Sequence, residues 1–328
     1  MNIIAADVGG TKTRLIYADV DDQGRVLYES CYVSGDFDGF GALLKTFIDD
    51  SGLTSSQPES LILALPGLVS ESSARLTNLP WVIEKQALKD TFGFRNVSFM
   101  NDFQASALGT GQLQEKDQIV LNAGISKVAD LNDNATRVAV GAGTGLGVAW
   151  AQGDEGVMHA YDTEGGHVDF APVDDTQIRL LQFLRERHGH VSYERILSGG
   201  GLVSLYEFCA GERGDELKSG EITAKWVNDQ SLDNAAADEA MRLFVQIYGS
   251  YIGNIAMLFK PSGGIFITGG IAAKMVQRMQ SEEFIHAYLN KGRMHNLVEQ
   301  ITVYLVTDER IGVLGAMSEA AKTQRVKR

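Results

Sequence analysis

The chain is poor in the residues that staple or stiffen a fold. It has two cysteines in 328 residues, Cys31 and Cys209. They lie far apart and form no CxxC pair, so neither a thiolate zinc site nor a disulfide framework is indicated. Two thiols without a framework fit a reducing, cytoplasmic setting. Only five prolines occur, which leaves the loops less restrained. Positive charge is short as well: 29 Lys and Arg stand against 42 Asp and Glu, a formal net charge of −13. Such a surface repels phosphate backbones and anionic lipid, which argues against nucleic acid and membrane partners. The apolar runs are short and broken by Gly or Pro, well under the ~20 residues a membrane span needs. Asp7 interrupts the first of them, so no secretory leader is expected. No HExxH spacing occurs, and no glycine-rich stretch ends in the GK[ST] of a P-loop. The basic stretch "KTQRVKR" (322–328) reads as a solvated, fraying end.

What the chain has in quantity is glycine, 36 residues of it, within an ordinary apolar fraction of 44%. The length suggests about two domains. "NIIAA" (2–6), "TRLIYADV" (13–20) and "VLYESCYV" (26–33) read as a three-strand meander. "FGALLKTFIDDSG" (40–52) has helical spacing and a terminal Gly52. "SLILAL" (60–65) is a strand, "IEKQALKDTFG" (83–93) a helix, "VSFMND" (97–102) a strand, and "FQASALG" (103–109) a helix directly behind it. That alternation is an α/β pattern with a mixed sheet. Strands are then expected over 118–124, 137–143 and 146–153, and a helix-rich stretch from Asp174 to Phe259. There Met241, Phe244, Tyr248, Tyr251, Ile252, Ile255 and Phe259 step at three to four residues and read as a core stripe. "GGIFITGG" (263–270) is a strand, 271–279 a helix, "ITVYLV" (301–306) the last strand and 311–325 the last helix. "AADVGGTKTRLIYA" (5–18) and "VAVGAGTGLGVAWA" (138–151) align without gaps, Gly10-Thr11 over Gly143-Thr144. Two equivalent glycine-rich hairpins, one per half, suggest a duplicated architecture around a cleft.

Several short segments carry chemistry. In Asp7-Val8-Gly9-Gly10-Thr11 the glycines let backbone N–H groups approach an anion, Thr11 adds a hydroxyl, and Asp7 is placed to hold a hydrated Mg²⁺. A plain hairpin with glycine bulges explains the same residues. Gly141 to Gly147 is no Rossmann fingerprint, because a strand follows it; it is either a phosphate cradle or a tight corner. Asp102, after Asn101 at a strand's C-terminal end, sits where α/β folds bind ligands and can take a proton from a hydroxyl. The competing reading makes Asp102 the helix N-cap. Glu164-Gly165-Gly166-His167 mixes acceptors and donors suited to a ligand with several hydroxyls. Glu194 is a further acceptor, or a solvated helix face. "SGGG" (198–201) and Gly269-Gly270 are either turns or places where a flat base lies against backbone. His188 and His190 read as structural or surface residues.

Together the segments resemble the bacterial glucokinases, of the zinc-free enterobacterial type, within the hexokinase/actin/heat-shock-70 superfamily. The resemblance runs from Asp7 to about Gly315. It is carried by "ADVGGTKTRL" (6–15), "NDFQASA" (101–107), "GAGTGLGVA" (141–149), "EGGHVDFAP" (164–172), "HVSYERILSGGGL" (190–202) and "GGIFITGGI" (263–271). A related group carries a cysteine-rich zinc motif after its EGGH-like segment; here "VDFAPVDD" stands in that place.

The resemblance implies a two-domain, ribonuclease-H-like α/β fold with mixed sheets flanked by helices and a deep interdomain cleft. The expected division is 1–112 plus 312–328 as a small domain and 113–311 as a large one. Asp102 is implied as the catalytic base, with Asn101, Glu164, His167 and Glu194 on the sugar. Ala6, Asp7, Val8, Gly9, Gly10 and Thr11 are implied as the first phosphate loop, and Gly141, Gly143, Thr144 and Gly145 as the second. Gly200, Gly269 and Gly270 are implied as the adenine wall. The implied activity is ATP- and Mg²⁺-dependent phosphorylation of glucose by a cytoplasmic homodimer. The alternatives are a kinase for mannose, fructose or an N-acetylated amino sugar, and a non-catalytic sugar-responsive regulator. Regulators of this fold usually carry an N-terminal DNA-binding segment, and the first phosphate-loop motif begins here by residue 7.

Overall fold

The computed structural model describes all residues except 22–23, 54–57, 77–78, 126–133, 155, 218–219, 221 and 326–328. The end of the basic stretch, 326–328, lies outside the described residues. Contacts group the chain into two units. The first comprises Met1–Gln114, Ala149–Asp162 and Asp308–Arg328; the second comprises Glu115–Val148 and Thr163–Thr307.

The first unit opens with the expected meander, β1 (Asn2–Val8), β2 (Lys12–Asp19) and β3 (Arg25–Val33). Helix α1 (Phe40–Asp50) follows, burying Phe40, Leu43, Leu44 and Phe47. Strand β4 (Ser60–Leu65) is buried at every position. It lies parallel to β1 on one side and, on the other, to β8 (Asn96–Asn101). A strand with neighbours on both edges and cover on both faces reads as an unbroken apolar run, which is why "SLILAL" does not alternate. Between β4 and β8 three short strands form a separate antiparallel sheet: β5 (Leu68–Val69), β6 (Ser73–Arg75) and β7 (Val82–Glu84). The expected helix over 83–93 therefore begins only at Lys85, as α2 (Lys85–Phe92). β-Branched Val82 and Ile83 pair with Arg75 and Ala74 instead of entering the helix. Helix α3 (Asp102–Gly109) leaves β8 directly. The core gathers Ile4, Val8, Leu15, Phe47, Leu63, Trp81 and Val97 among others.

The second unit begins with β9 (Gln118–Asn122), β10 (Arg137–Ala142), β11 (Leu146–Asp154) and β12 (Val157–Thr163); of β11 and β12, Ala149–Asp162 groups with the first unit. No strand was expected at β12, whose residues "VMHAYDT" lack a clean alternation. Helices α4 (Asp175–His188), α5 (Gly199–Arg213), α6 (Ala224–Gln230) and α7 (Ala235–Phe259) fill the expected helix-rich stretch. Asp174, Ser198, Thr223 and Asn234 cap them, each accepting a backbone N–H of the first turn. Helix α7 ends at Lys260, which takes the left-handed conformation before Pro261. Strand β13 (Ile265–Thr268) is followed by a 3₁₀ turn at Ala272–Lys274 and the short α8 (Val276–Met279), not by one helix over 271–279. Helices α9 (Glu282–Leu289) and α10 (His295–Glu299) lead to β14 (Val303–Val306). The last helix, α11 (Ile311–Arg325), packs in the first unit against α3, β1 and β4.

The sheets explain the weak internal repeat. The first has the order β3-β2-β1-β4-β8 and the second β12-β11-β10-β13-β14-β9. Apart from the added β9, the two orders are the same. β1, β4 and β8 run parallel, as do β10, β13 and β14. In both, the glycine-rich turn joins the central strand to the strand beside it. The duplication is topological, and sequence has kept only the turn.

Candidate active site

In the first unit, β1 and β8 end side by side with β4 between them, and each delivers one carboxylate. Asn101, not Asp102, is the N-cap of α3. Its Oδ1 accepts the N–H groups of Phe103 (2.8 Å) and Gln104 (3.2 Å), and Gln104 Oε1 accepts the Asn101 N–H at 3.2 Å. This reciprocal box relieves Asp102 of capping. Asp102 Oδ1 accepts from Phe103 N–H, at 2.9 Å. The cap also consumes the Asn101 oxygen and leaves its NH₂ group, which can only donate. Burial pushes the Asp102 carboxyl up to about 6, against the Phe103 and Asp102 backbone N–H groups that favour the anion.

Asp7 is the more perturbed of the two. Burial, reinforced by the charge of Asp102, lifts it to about 7, while Arg14 opposes the shift. Arg14 sits opposite Asp7 in the β1–β2 ladder and is itself held by Glu29 at 2.8 Å. No described residue donates a hydrogen bond to the Asp7 carboxylate.

The turn after β1 is braced from below by a residue the sequence did not single out. Ser34 Oγ donates to Gly9 O (2.7 Å) and meets Thr13 Oγ1 (2.9 Å), and Ser34 N–H donates to Thr11 O (3.0 Å). A Cβ on Gly9 would fall 2.7 Å from Lys12 O, so the turn closes only over glycine. Gly10 is half-buried and Thr11 exposed. The side chains of Ala6 and Val8 are fully buried, and Ala6 lies between β2 and β4. Any ligand contact at these two positions is through backbone.

In the second unit the turn between β10 and β11 is Gly143-Thr144-Gly145 alone; Gly141 and Gly147 lie within strands. Gly143 N–H donates to Gly145 O at 2.8 Å, and Gly143 O accepts from Gly199 N–H at 2.9 Å. The turn thus meets the N-terminus of α5, where the Gly199 N–H is taken up by Gly143 O and the Gly200 N–H is left suited to an anion. Gly269 has φ 87°, and a Cβ there would fall 2.6 Å from Ala142 O. Gly269-Gly270 therefore closes against the end of β10, and Gly270 stands in open space. Thr144 is exposed.

The polar cluster lies beside this turn. His167 Nε2 is 3.7 Å from Glu164 Oε2, and His167 Nδ1 is 3.9 Å from Glu194 Oε1. Glu164 and His167 are exposed and Glu194 is half-buried. Glu194 belongs to a 3₁₀ turn, Tyr193–Arg195, not to a helix face. Underneath, α7 supplies supports that read as plain core in the sequence. Tyr251 OH donates to Gly165 O at 2.7 Å, its ring lies 4.4 Å from that of Tyr193, and Asn254 donates to Tyr193 OH at 3.0 Å. His190 lies outside the cluster and pairs with Asp169 at 2.6 Å. Among the described residues no group of three or more His, Cys, Asp or Glu is placed to hold a metal ion by itself, and no helix is long and apolar enough to cross a membrane.

Comparison with known proteins places these features in one context. A family model described as Glucokinase matches residues 4–323. A glucokinase of Trichormus variabilis is 32% identical over 345 residues, covering 98% of this chain and 99% of its own length. A glucokinase crystal structure from an Antarctic psychrotroph superposes with a TM-score of 0.84 at 28% identity, over 97% of this chain and 98% of that one. A glucokinase from Balamuthia mandrillaris, crystallised with glucose, shares the fold with a TM-score of 0.79 at 21% identity, over 96% of this chain and 92% of that one.

Proposed function

The chain belongs to the glucokinase family, and from that premise we propose that it transfers the γ-phosphoryl group of ATP to the 6-hydroxyl of D-glucose with Asp102 as general base. Asp102 Oδ2 accepts the hydroxyl proton while the sugar oxygen bonds to the γ-phosphorus and the bond to the ADP oxygen breaks. The products are glucose 6-phosphate, ADP and a proton left on Asp102. One observation carries this role above the others: Asn101 does the capping, so Asp102 keeps an oxygen free at the helix start. Burial makes it a stronger base than an ordinary aspartate, yet it remains ionised at neutral pH. General-base assistance of this kind is worth about 10²–10⁴ in rate.

The remaining roles follow from what each group can donate or accept. The Asn101 NH₂ group donates to a sugar hydroxyl; Glu164 and Glu194 accept from others, and His167 does either. Gly9 and Gly143 use their own N–H groups to close the two turns, on Lys12 O and Gly145 O. The N–H groups of Gly10 and Thr11 and of Thr144 and Gly145, with the Thr11 and Thr144 hydroxyls, take the phosphates. Gly200, Gly269 and Gly270 leave a side-chain-free wall for the adenine. Asp7 fits a magnesium ion that keeps most of its waters: it is a carboxylate with no protein donor, and such ions use one or two carboxylates beside the phosphates. When bound, Mg²⁺ neutralises charge that develops on the transferred group. Phosphoryl transfer needs little else than position and such charge stabilisation.

The test is a coupled ADP-release assay with ATP and single hexoses, run on the wild type and Asp102→Asn. Turnover with glucose and its collapse in the variant are expected. Near-normal turnover in Asp102→Asn sinks the base, and a higher kcat/KM for mannose, fructose or an N-acetylated amino sugar reassigns the substrate.

A further inference from the structure

Glu194 is turned toward the glycine-rich turn as much as toward the sugar residues. Its Oε2 accepts the Leu146 N–H at 2.9 Å, at the first residue after Gly143-Thr144-Gly145. Its other oxygen, Oε1, faces His167. The carboxylate thus divides its two oxygens between two neighbours with different tasks. Leu146 is clasped on its carbonyl side as well, because a Cβ on Gly166 would fall 1.9 Å from Leu146 O.

Gly145 gains a specific reason from the same contact. Its φ is not in the left-handed region, so conformational freedom does not call for glycine there. Room does: a Cβ on Gly145 would fall 2.5 Å from Glu194 Oε2 and 3.3 Å from its carboxyl carbon. Gly143, in the same turn, has nothing within 4 Å of the corresponding point. Two glycines two residues apart therefore answer to different demands.

We propose that Glu194 is a positioning residue for the nucleotide in addition to being a sugar contact, and that Gly145 is the gap that admits its carboxylate. Oε2 fixes the Leu146 amide and with it the turn whose N–H groups meet the phosphates; this rests on the phosphate-holding role given to that turn above. The arrangement has a cost, since it places a negative charge near phosphates. The hydrogen bond and the charge can be separated by substitution. Glu194→Gln keeps an acceptor oxygen and loses the charge, whereas Glu194→Ala loses both.

Calorimetric titration with ADP in the absence of sugar reads the nucleotide side directly. Glu194→Ala is expected to weaken ADP binding about tenfold, the scale of one hydrogen bond to a charged group. Glu194→Gln is expected to bind as tightly as the wild type or tighter. Gly145→Ala should weaken binding as Glu194→Ala does, and the double variant should be no worse than Glu194→Ala alone, because Gly145 acts only through that carboxylate. Hydrogen exchange at the Leu146 amide should be slow in the wild type and Glu194→Gln and fast in Glu194→Ala. Wild-type ADP affinity in Glu194→Ala, or additive losses in the double variant, overturns the proposal alone. A wild-type protein that binds no ADP overturns both it and the phosphate-holding reading of the turn.

Discussion

A Cβ on Gly312 would lie 2.3 Å from Asp7 Oδ2. The carboxylate that closes β1 therefore rests against the first turn of α11, a stretch of chain about three hundred residues away in sequence. A helix start favours an anion, so the contact helps Asp7 hold a charge that burial opposes. Gly312→Ala is expected to displace the carboxylate. Its half-saturating Mg²⁺ concentration should rise about fivefold and its kcat should fall, while KM for glucose stays within about twofold; a 1 kcal/mol perturbation is about fivefold and sets the scale. A magnesium titration of initial rates checks this, and an unchanged titration curve would remove Asp7 from the metal site.

The pH dependence follows from the sign of the shifts. Asp102 must be ionised to accept a proton and its carboxyl lies at about 6, so kcat/KM should fall tenfold per unit below that value. For stability the sign is opposite to that of a salt-bridged acid. Folded-state values of about 6 and about 7 stand above the ordinary 3.8. Their contribution is full below pH 4 and is lost as pH rises through 6 to 7. Asp102→Asn is expected to melt above the wild type at pH 8, by about 3 kcal/mol in stability, with the gap closing toward pH 4. Melting curves at the two pH values decide it; equal gaps at both would refute the linkage.

Gly143 and Gly201 offer a contrast between a ligand's glycine and a fold's glycine. Nothing lies within 4 Å of a Cβ on Gly143, whereas one on Gly201 would fall 2.2 Å from Ile196 O. Gly143→Val should leave the melting temperature within about 2 °C and raise KM for ATP more than KM for glucose. Gly201→Ala should destabilise by about 1–3 kcal/mol, the usual range for overpacking. Equal rises in both KM values for Gly143→Val would detach that turn from the nucleotide.

Tyr251→Phe removes one hydroxyl from the support under Gly165. It leaves the half-buried Gly165 carbonyl with only the long Val168 N–H contact, at 3.4 Å, a loss of about 1 kcal/mol. KM for glucose should rise about fivefold with kcat and KM for ATP nearly unchanged. A loss confined to thermal stability would make Tyr251 core and nothing more.

Much of the site was legible because it is written in short contiguous segments. The turn residues, Asn101-Asp102 and the Glu164–His167 segment are candidates by residue type, the turns and Asp102 each beside a plain structural reading that only their joint order outweighs, and the parallel strands show as unbroken apolar runs. The division of labour at Asn101 and Asp102 was not legible, since either residue can cap a helix. Gln104, three residues after Asn101, completes a capping box and was the available signal. Ser34, Tyr251 and Gly312 were not legible for a different reason. Each touches its partner across many residues, and a serine, a tyrosine in an apolar stripe and a helical glycine have ordinary structural explanations. Strand β12 and the three-strand sheet at β5 to β7 escaped because short half-exposed strands have little periodicity to read.

Helix α11 crosses α3 with glycine on both sides of the contact: a Cβ on Gly315 would fall 1.7 Å from Ala105 O, and one on Gly109 would fall 2.0 Å from Ile311 O. Backbones that close leave no room for a side chain at either position. On the ribosome, β1 to β8 emerge before the second unit, but their docking partner emerges after it. The first unit must wait, its α3 face bare, while the whole of the second unit is made and is free to fold. The late arrival of about fifteen residues thus sets when the carboxylate pair is finally enclosed, and folding order is tied to the assembly of the chemistry.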